Sequence, residues 1–569
     1  MIVGPNAQRN RVIVIGLDGA TFDLISPWVE QGKLPTFQRL LNDGASGPLE
    51  SVPNQRSAAA WTSLATGLNP GKHGIYEFYE QAHGSYDIRF INSSAREGAS
   101  LWKILSDHGR KVGVMNVPLT YPAERVNGFL IAGIDAPSIH IEGFAHPPEL
   151  LEEINQKFGR YIIEPGVNGY IVQGDIDRAV ESLRDEIRQK TEITRYLLEN
   201  KPWDFFIVVF RSLDASQHGF WRFMDPAGQA LDPEGARKYG NVILETYQQL
   251  DRAISDICEH MDDDTRVLII SDHGFGRKHK ASNQLNYWLE EHGFLRFKGG
   301  TEHRLSPRSL MTSLYRFVSR NTSRALKERL KQFLPSLRNR VHSHLIYSQI
   351  DWAHTVAYND DLFPIIRINL RGREPGGIVE PGRQYDDLVR ELKQKLMECR
   401  DAELGVPIVD AVFHRDEIYT GPHTYRAPDL LVRWREDIAV TGIALQKEAA
   451  RNARPPVPTE DARYISGDHR LNGILMAAGR GVKRNAAVSG ARLIDIAPTV
   501  LCMMGLPIPE EMDGKVITDL FENSFLSEHP IQREASRTPA EPAEDFEPPD
   551  YSKEDEDEIR KRLEDLGYL

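Results

Sequence analysis

Seven residues of this chain are of types that do chemistry together: Asp18, Ser57, Asp214, His218, Asp272, His273 and His469. Carboxylates and imidazoles in that number supply enough donors for two divalent metal ions, and a serine beside them is a hydroxyl nucleophile. Taken singly, each has an ordinary explanation as a turn carboxylate, a helix cap or a surface histidine. Their positions set them apart. Asp18 closes the apolar, β-branched run 12–17 and is followed by Gly19; Asp214 comes shortly after the apolar run 205–210; Asp272 and His273 follow the run 266–271 and precede Gly274. Runs of that kind read as strands buried on both faces, whose carboxyl ends form the ligand-binding rim of an open α/β sheet. Adjacent Asp and His after a buried strand are costly unless something partners them.

The remaining members need other elements to position them. His218 stands four residues after Asp214, so a helical turn there sets both on one face, and that pairing suits a borderline cation. Ser57 precedes small residues and the helical spacing of Trp61, Leu64 and Ala65. Its hydroxyl is therefore expected at a helix N-terminus, where free N–H groups favour an anion. His469 lies in the glycine-containing segment 466–473, expected to be a loop that leads into a strand.

Three further phrases complete a pattern: AWTSLATGLNPGKHGI over 60–75, SDHGFG over 271–276, and LIDIAPTVL over 493–501 followed by MDG at 512–514. In this order they resemble the alkaline phosphatase superfamily, most closely its type I phosphodiesterase/nucleotide pyrophosphatase family, across roughly residues 10 to 520. The resemblance implies an α/β fold, an alkaline-phosphatase-like three-layer sandwich with a mostly parallel central sheet plus an inserted α/β subdomain. It also implies one metal held by Asp214, His218 and His469, and a second by Asp18, Asp272 and His273, with Ser57 coordinating the second as nucleophile. The two ions are expected to be divalent, zinc first for mixed N/O donors, with manganese also accommodated. The expected partner is an anionic phosphate ester, cleaved as a phosphodiester or pyrophosphate through a covalent Ser57 intermediate. A phosphomonoesterase or phosphomutase with a similar site is the alternative reaction. A non-catalytic metal-binding scaffold is the alternative of another class.

Members of that family usually carry a threonine nucleophile, an aromatic residue after it that stacks a base, and an asparagine after the His-Gly-Ile segment. Here those positions read Ser57, Ala58 and Phe78. The hydroxyl survives while the base platform and the amide donor are absent, which argues against a nucleotide substrate. A sulfatase is excluded in the same way, because Ser57-Ala-Ala-Ala lacks the Pro/Arg-containing motif for formylglycine conversion. Lys278, His279 and Trp61 are the candidate substrate contacts, with Lys280 beside them; Trp61, next to Leu64 on a helix, also reads as core.

With 569 residues and 40% hydrophobic composition the chain can bury a large core. A net charge of -13 gives no clear nucleic acid partner. Cys258, Cys399 and Cys502 lack metal-ligand spacing and form no disulfide framework, and no apolar run reaches about 18 residues, so a cytoplasmic, soluble protein is expected. The domain reading is a catalytic core over 10–295, an inserted subdomain over 296–460, the rest of the core over 461–521, and an acidic Pro-rich linker with a short terminal helix over 522–569. Residues 304–340 are strongly basic with apolar residues at helical spacing, as expected of a lid or of a face that docks on an anionic membrane surface. The sequence sets no oligomeric state.

Overall fold

The strand expected at 12–17 forms as β1 (Arg11–Leu17), and its residues divide between two hydrophobic cores. Ile13, Ile15 and Leu17 join one core, Val12 and Val14 the other. The same alternation holds for Phe206, Val208 and Phe210 against Phe205, Ile207 and Val209. Successive side chains point to opposite faces of a strand, so continuous apolar runs require cover on both sides. The computed structural model describes residues 10–81, 84–86, 88–298, 347, 349–360, 363–445, 466–535 and 551–566. The basic stretch 304–340 and residues 536–550 of the acidic linker lie outside them.

The central sheet is built from β1, β2 (Ala45–Glu50), β3 (Val112–Met115), β4 (Gly128–Ile131), β5 (Ala145–His146), β6 (Phe205–Phe210) and β7 (Thr265–Ile270). Beyond the two-stranded ribbon of β8 (Gly274–Arg277) and β9 (Gly467–Arg470), the chain returns to it with β10 (Asn472–Ala478), β11 (Ala486–Ala487) and β12 (Ala491–Arg492). Among the described residues it has ten strands in the order β11-β2-β10-β7-β1-β6-β3-β4-β5, with β12 also on β2. β1 pairs in parallel with both β6 and β7, so Asp18, Asp214 and Asp272 leave the same edge of the sheet.

Helices α1 (Ser57–Thr66), α2 (Ile176–Asn200), α3 (Ser212–Met224), α4 (Val242–Cys258) and α5 (Ile496–Met503) supply the outer layers. Trp61 and Leu64 of α1 and Ile496 and Val500 of α5 pack on one face; Leu183 and Ile187 of α2 and Tyr247 and Leu250 of α4 pack on the other. The result is a three-layer α/β sandwich. Between β8 and β9 sits a subdomain with its own core, in which Leu285, Trp288 and Leu289 meet Ile366, Leu392 and Leu430. Its four-stranded antiparallel sheet runs Ala357–Tyr358, Ile365–Ile368, Leu430–Trp434, Val409–His414. The terminal helix α6 (Lys553–Asp565) buries Ile559 and Leu563 in the main core, while Arg562 donates to the carbonyls of Ile134, Ala136 and Pro137.

Candidate metal centre

The sheet edge brings the seven residues together. Asp18, Ser57, Asp214, Asp272 and His273 are fully buried, and His218 and His469 nearly so. Gly19 permits the turn after Asp18: its φ is +77°, a region that L side chains rarely adopt, and its N–H donates to Asp272 Oδ1 at 3.3 Å. Asp214 and His218 share a face of α3, as their spacing predicts. His469 is a correction: it sits on β9, paired with Phe275 of β8, and not in a loop. The antiparallel ribbon gives the backbone partners that a loop would lack.

Each imidazole is oriented from behind. Nδ1 of His218, His273 and His469 bonds the carbonyls of Gly467 at 3.0 Å, Gly274 at 3.0 Å and Gln55 at 2.8 Å. A carbonyl only accepts, so Nδ1 carries the proton and Nε2 presents a lone pair to the interior. The carboxylates are arranged likewise. Asp18 Oδ2 accepts from Trp61 Nε1 at 3.0 Å and from Arg211, which also donates to Asp214 Oδ2 at 3.1 Å. That leaves Asp18 Oδ1, Asp214 Oδ1 and Asp272 Oδ2 buried with no hydrogen-bond partner.

These inward atoms converge. Asp214 Oδ1 lies 3.3 Å from His218 Nε2 and 3.5 Å from His469 Nε2, and the two nitrogens are 3.2 Å apart. A tetrahedral ion with bonds of about 2.0–2.1 Å spaces its ligands at about 3.3 Å. Around His273 Nε2 stand Ser57 Oγ at 3.2 Å, Asp272 Oδ2 at 3.3 Å and Asp18 Oδ1 at 3.5 Å. Asp18, Asp214 and His273 also hold ligand atoms within 4.8 Å of one another, so Asp214 borders both clusters. Lone pairs facing lone pairs at these distances repel unless a cation lies between them. The residues therefore fit divalent metal on the strength of their own unpartnered atoms.

Electrostatics agrees. Burial is the main cause that raises Asp18 to about 6, against Arg211. Burial, with the charge of Asp18, pushes Asp272 well above the carboxylate range. Burial pushes Asp214 up, but a charged His218 and Arg211, the state without metal, hold it well below that range. Burial also lowers His273 and His469, keeping these two imidazoles neutral and able to ligate. Without a cation the centre cannot keep all three carboxylates charged.

The match to the family model for type I phosphodiesterase / nucleotide pyrophosphatase spans residues 12–469. This chain belongs to that family. It is a metal-dependent phosphoryl hydrolase of the phosphodiesterase/nucleotide pyrophosphatase kind. Phosphonoacetate hydrolase from Sinorhizobium meliloti 1021, solved with phosphonoformate, superposes with a TM-score of 0.52 at 14% identity, covering 87% of this chain and 96% of that one. Human ectonucleotide pyrophosphatase / phosphodiesterase 5 reaches a TM-score of 0.46 at 12% identity, over 90% of this chain and 100% of its own. No curated protein matches the chain in sequence. At these identities the first likeness speaks for the fold, an alkaline-phosphatase-like one.

The other sequence candidates separate. Trp61 is a correction: it is fully buried, its ring packs on Gly16 and its N–H holds Asp18, so it is core beneath the centre and not a substrate wall. Lys278 is half-buried and bonds Ser466 through its backbone; Lys280 is exposed. His279 is 5% exposed, has no partner at either ring nitrogen, and lines a cleft with His469. Phe78 is buried in the main core. Sequence reasoning missed Arg211, though its signal was the one that flagged Asp18: a charged residue directly after a buried apolar strand.

Proposed function

We propose that Ser57 is the nucleophile of a two-metal phosphodiesterase or pyrophosphatase, with Asp214, His218 and His469 holding one ion and Asp18, Asp272 and His273 the other. The observation that carries this is the set of inward ligand atoms around His273 Nε2, among them the buried carboxylate oxygens of Asp18 and Asp272, with Ser57 Oγ in their midst. His273 offers Nε2 to Ser57 while its Nδ1 bonds a backbone carbonyl rather than a carboxylate. A Ser-His-Asp triad needs the carboxylate on the nitrogen away from serine, so His273 acts as a ligand and not as a general base.

Divalent ions, zinc first and manganese as the alternative, supply Lewis-acid activation of the serine hydroxyl and compensation of charge at the phosphoryl oxygens. Ser57 sits at the first position of α1, which directs the helix's first N–H groups toward the phosphoryl site. Its Oγ attacks phosphorus, forming an Oγ–P bond as the P–O bond to the leaving group breaks. Water then cleaves the Oγ–P bond and regenerates the hydroxyl. Ala58 and Phe78 offer no base platform and no amide donor, which favours a substrate other than a nucleotide. His279 and Lys278 are the substrate contacts in this reading.

Ser57→Ala tests the nucleophile. Hydrolysis of bis-p-nitrophenyl phosphate is expected to fall by at least about 10³-fold with both metals retained, since the hydroxyl is the attacking atom. Activity surviving in a metal-loaded variant would remove Ser57 from that role. A strong wild-type preference for p-nitrophenyl phosphate over the diester would establish the phosphomonoesterase reading instead.

A further inference from the structure

Next to His469 a cleft of about 60 Å³ opens between the catalytic core and the inserted subdomain. Arg56, Asp468, Arg470 and Glu436 line it together with His279, Phe363 and Trp434. His469 itself lines the cleft, and Arg56 and Asp468 are the chain neighbours of Ser57 and His469, so the cleft borders the metal centre on its His469 side.

Its chemistry is mixed. Arg56 is paired with Glu77 and lies over the Phe363 ring, 3.3 Å from its centre. Arg470 donates to the carbonyls of His469 and Arg277, with Asp468 and Glu436 the acidic groups facing it. Arg433, the third arginine of the lining, is paired with Asp410, so positive charge is matched, and a second phosphate would meet two carboxylates. His279 is the unmatched group. It is nine-tenths buried, and neither ring nitrogen has a hydrogen-bond partner. A neutral imidazole offers one donor and one acceptor, the complement of a hydroxyl, and leaving both unmet in a buried position is costly. The ring of Trp434, on the same lining, supplies an apolar surface that carbon-bound hydrogens of such a group would cover.

We propose that this cleft binds a neutral, hydroxyl-bearing ester group of the substrate, a polyol or sugar joined to the phosphoryl group, with His279 as its specificity contact. The proposal rests on the reading of Ser57 and its metal ligands as the reaction centre.

The test compares two p-nitrophenyl phosphodiesters that differ only in the second ester, glyceryl or propyl. Wild-type kcat/KM is expected to favour the glyceryl ester by at least about tenfold, because a site built to bond a hydroxyl rejects an analogue lacking it. In His279→Phe, which keeps a ring of similar shape, the preference is expected to fall below about threefold. Equal wild-type rates would overturn the proposal, as would a preference that survives in the variant. Independently of turnover, metal-loaded Ser57→Ala is titrated calorimetrically with sn-glycerol 3-phosphate and with propyl phosphate. At least about fivefold tighter binding of the glycerol ester is expected. If neither diester is cleaved but this difference appears, the reaction reading fails and the subsite stands. Equal affinities overturn the subsite, and tighter binding of inorganic pyrophosphate than of the glycerol ester would assign the cleft to an anion instead.

Discussion

Replacing Gly16 with alanine adds one methyl group near the end of β1, two residues before Asp18, and is expected to cripple the centre. The new Cβ would stand 2.5 Å from Trp61 Cη2 and 3.0 Å from Val209 Cγ2. Carbon atoms in contact settle at about 3.5–4.0 Å, so the indole must retreat by roughly 1 Å. Trp61 has no exposed surface into which to move, and overpacking of this kind costs about 1–3 kcal/mol. The displacement reaches the chemistry along two routes. Trp61 lies one helical turn from Ser57 on α1, and its Nε1 fixes Asp18 Oδ2. A misplacement of about 1 Å between nucleophile and ligands costs on the order of 10²-fold in kcat, equivalent to about 2.7 kcal/mol. The assay is kcat on bis-p-nitrophenyl phosphate with metal content and urea denaturation measured on the same preparation. Trp61→Phe removes the clashing edge of the ring, so Gly16→Ala/Trp61→Phe is expected to be more stable than Gly16→Ala, although Trp61→Phe alone loses a charged hydrogen bond of about 1.5–3 kcal/mol. A Gly16→Ala protein with kcat within threefold of wild type and an unshifted denaturation midpoint would refute the reasoning.

Other expectations follow from the same geometry. His469→Ala removes one of three inward donors from its cluster, and metal analysis after desalting is expected to give one ion per chain in place of two; retention of both would show that His469 is dispensable. In metal-free protein Asp18 titrates near 6 instead of its usual 3.8, and Asp272 is raised further from that value. Between about pH 4 and 6 the folded form then binds more protons than the unfolded one, so these groups make metal-free stability fall as pH rises through that window. Metal must displace the same protons, so the rise in Tm produced by zinc is expected to be largest at pH 7 and to shrink toward pH 5, as scanning calorimetry with zinc or EDTA would show. An equal increment at both pH values would count against these carboxylates as ligands. Leu563→Ala, at a position with no exposed surface in α6, is expected to cost about 2–5 kcal/mol in urea denaturation. A loss below about 0.5 kcal/mol would mean that the terminal helix does not hold the core.

The sequence by itself marked the residues of the candidate centre and, for the three aspartates, where along the chain they leave the sheet. Asp18, Asp214 and Asp272 each stand just beyond an apolar run, and that local pattern already dictates a buried strand with a carboxylate at its end. It also placed His218 on the face of Asp214, because a spacing of four is a property of the helix alone. Only the tertiary structure decided the rest. Which oxygen of Asp18 faces inward depends on Trp61 and on Arg211 from another strand's end; His469 belongs to a strand because residues 274–277, nearly two hundred positions earlier, pair with it. The terminal helix reads as a charged segment, yet Ile559 and Leu563 seat it in the main core, and the cleft beside His469 exists because the inserted subdomain packs against the catalytic layer. Period and spacing are local and survive in sequence. Hydrogen-bond partners and cavities are made between distant segments, and they exist only once those segments have packed.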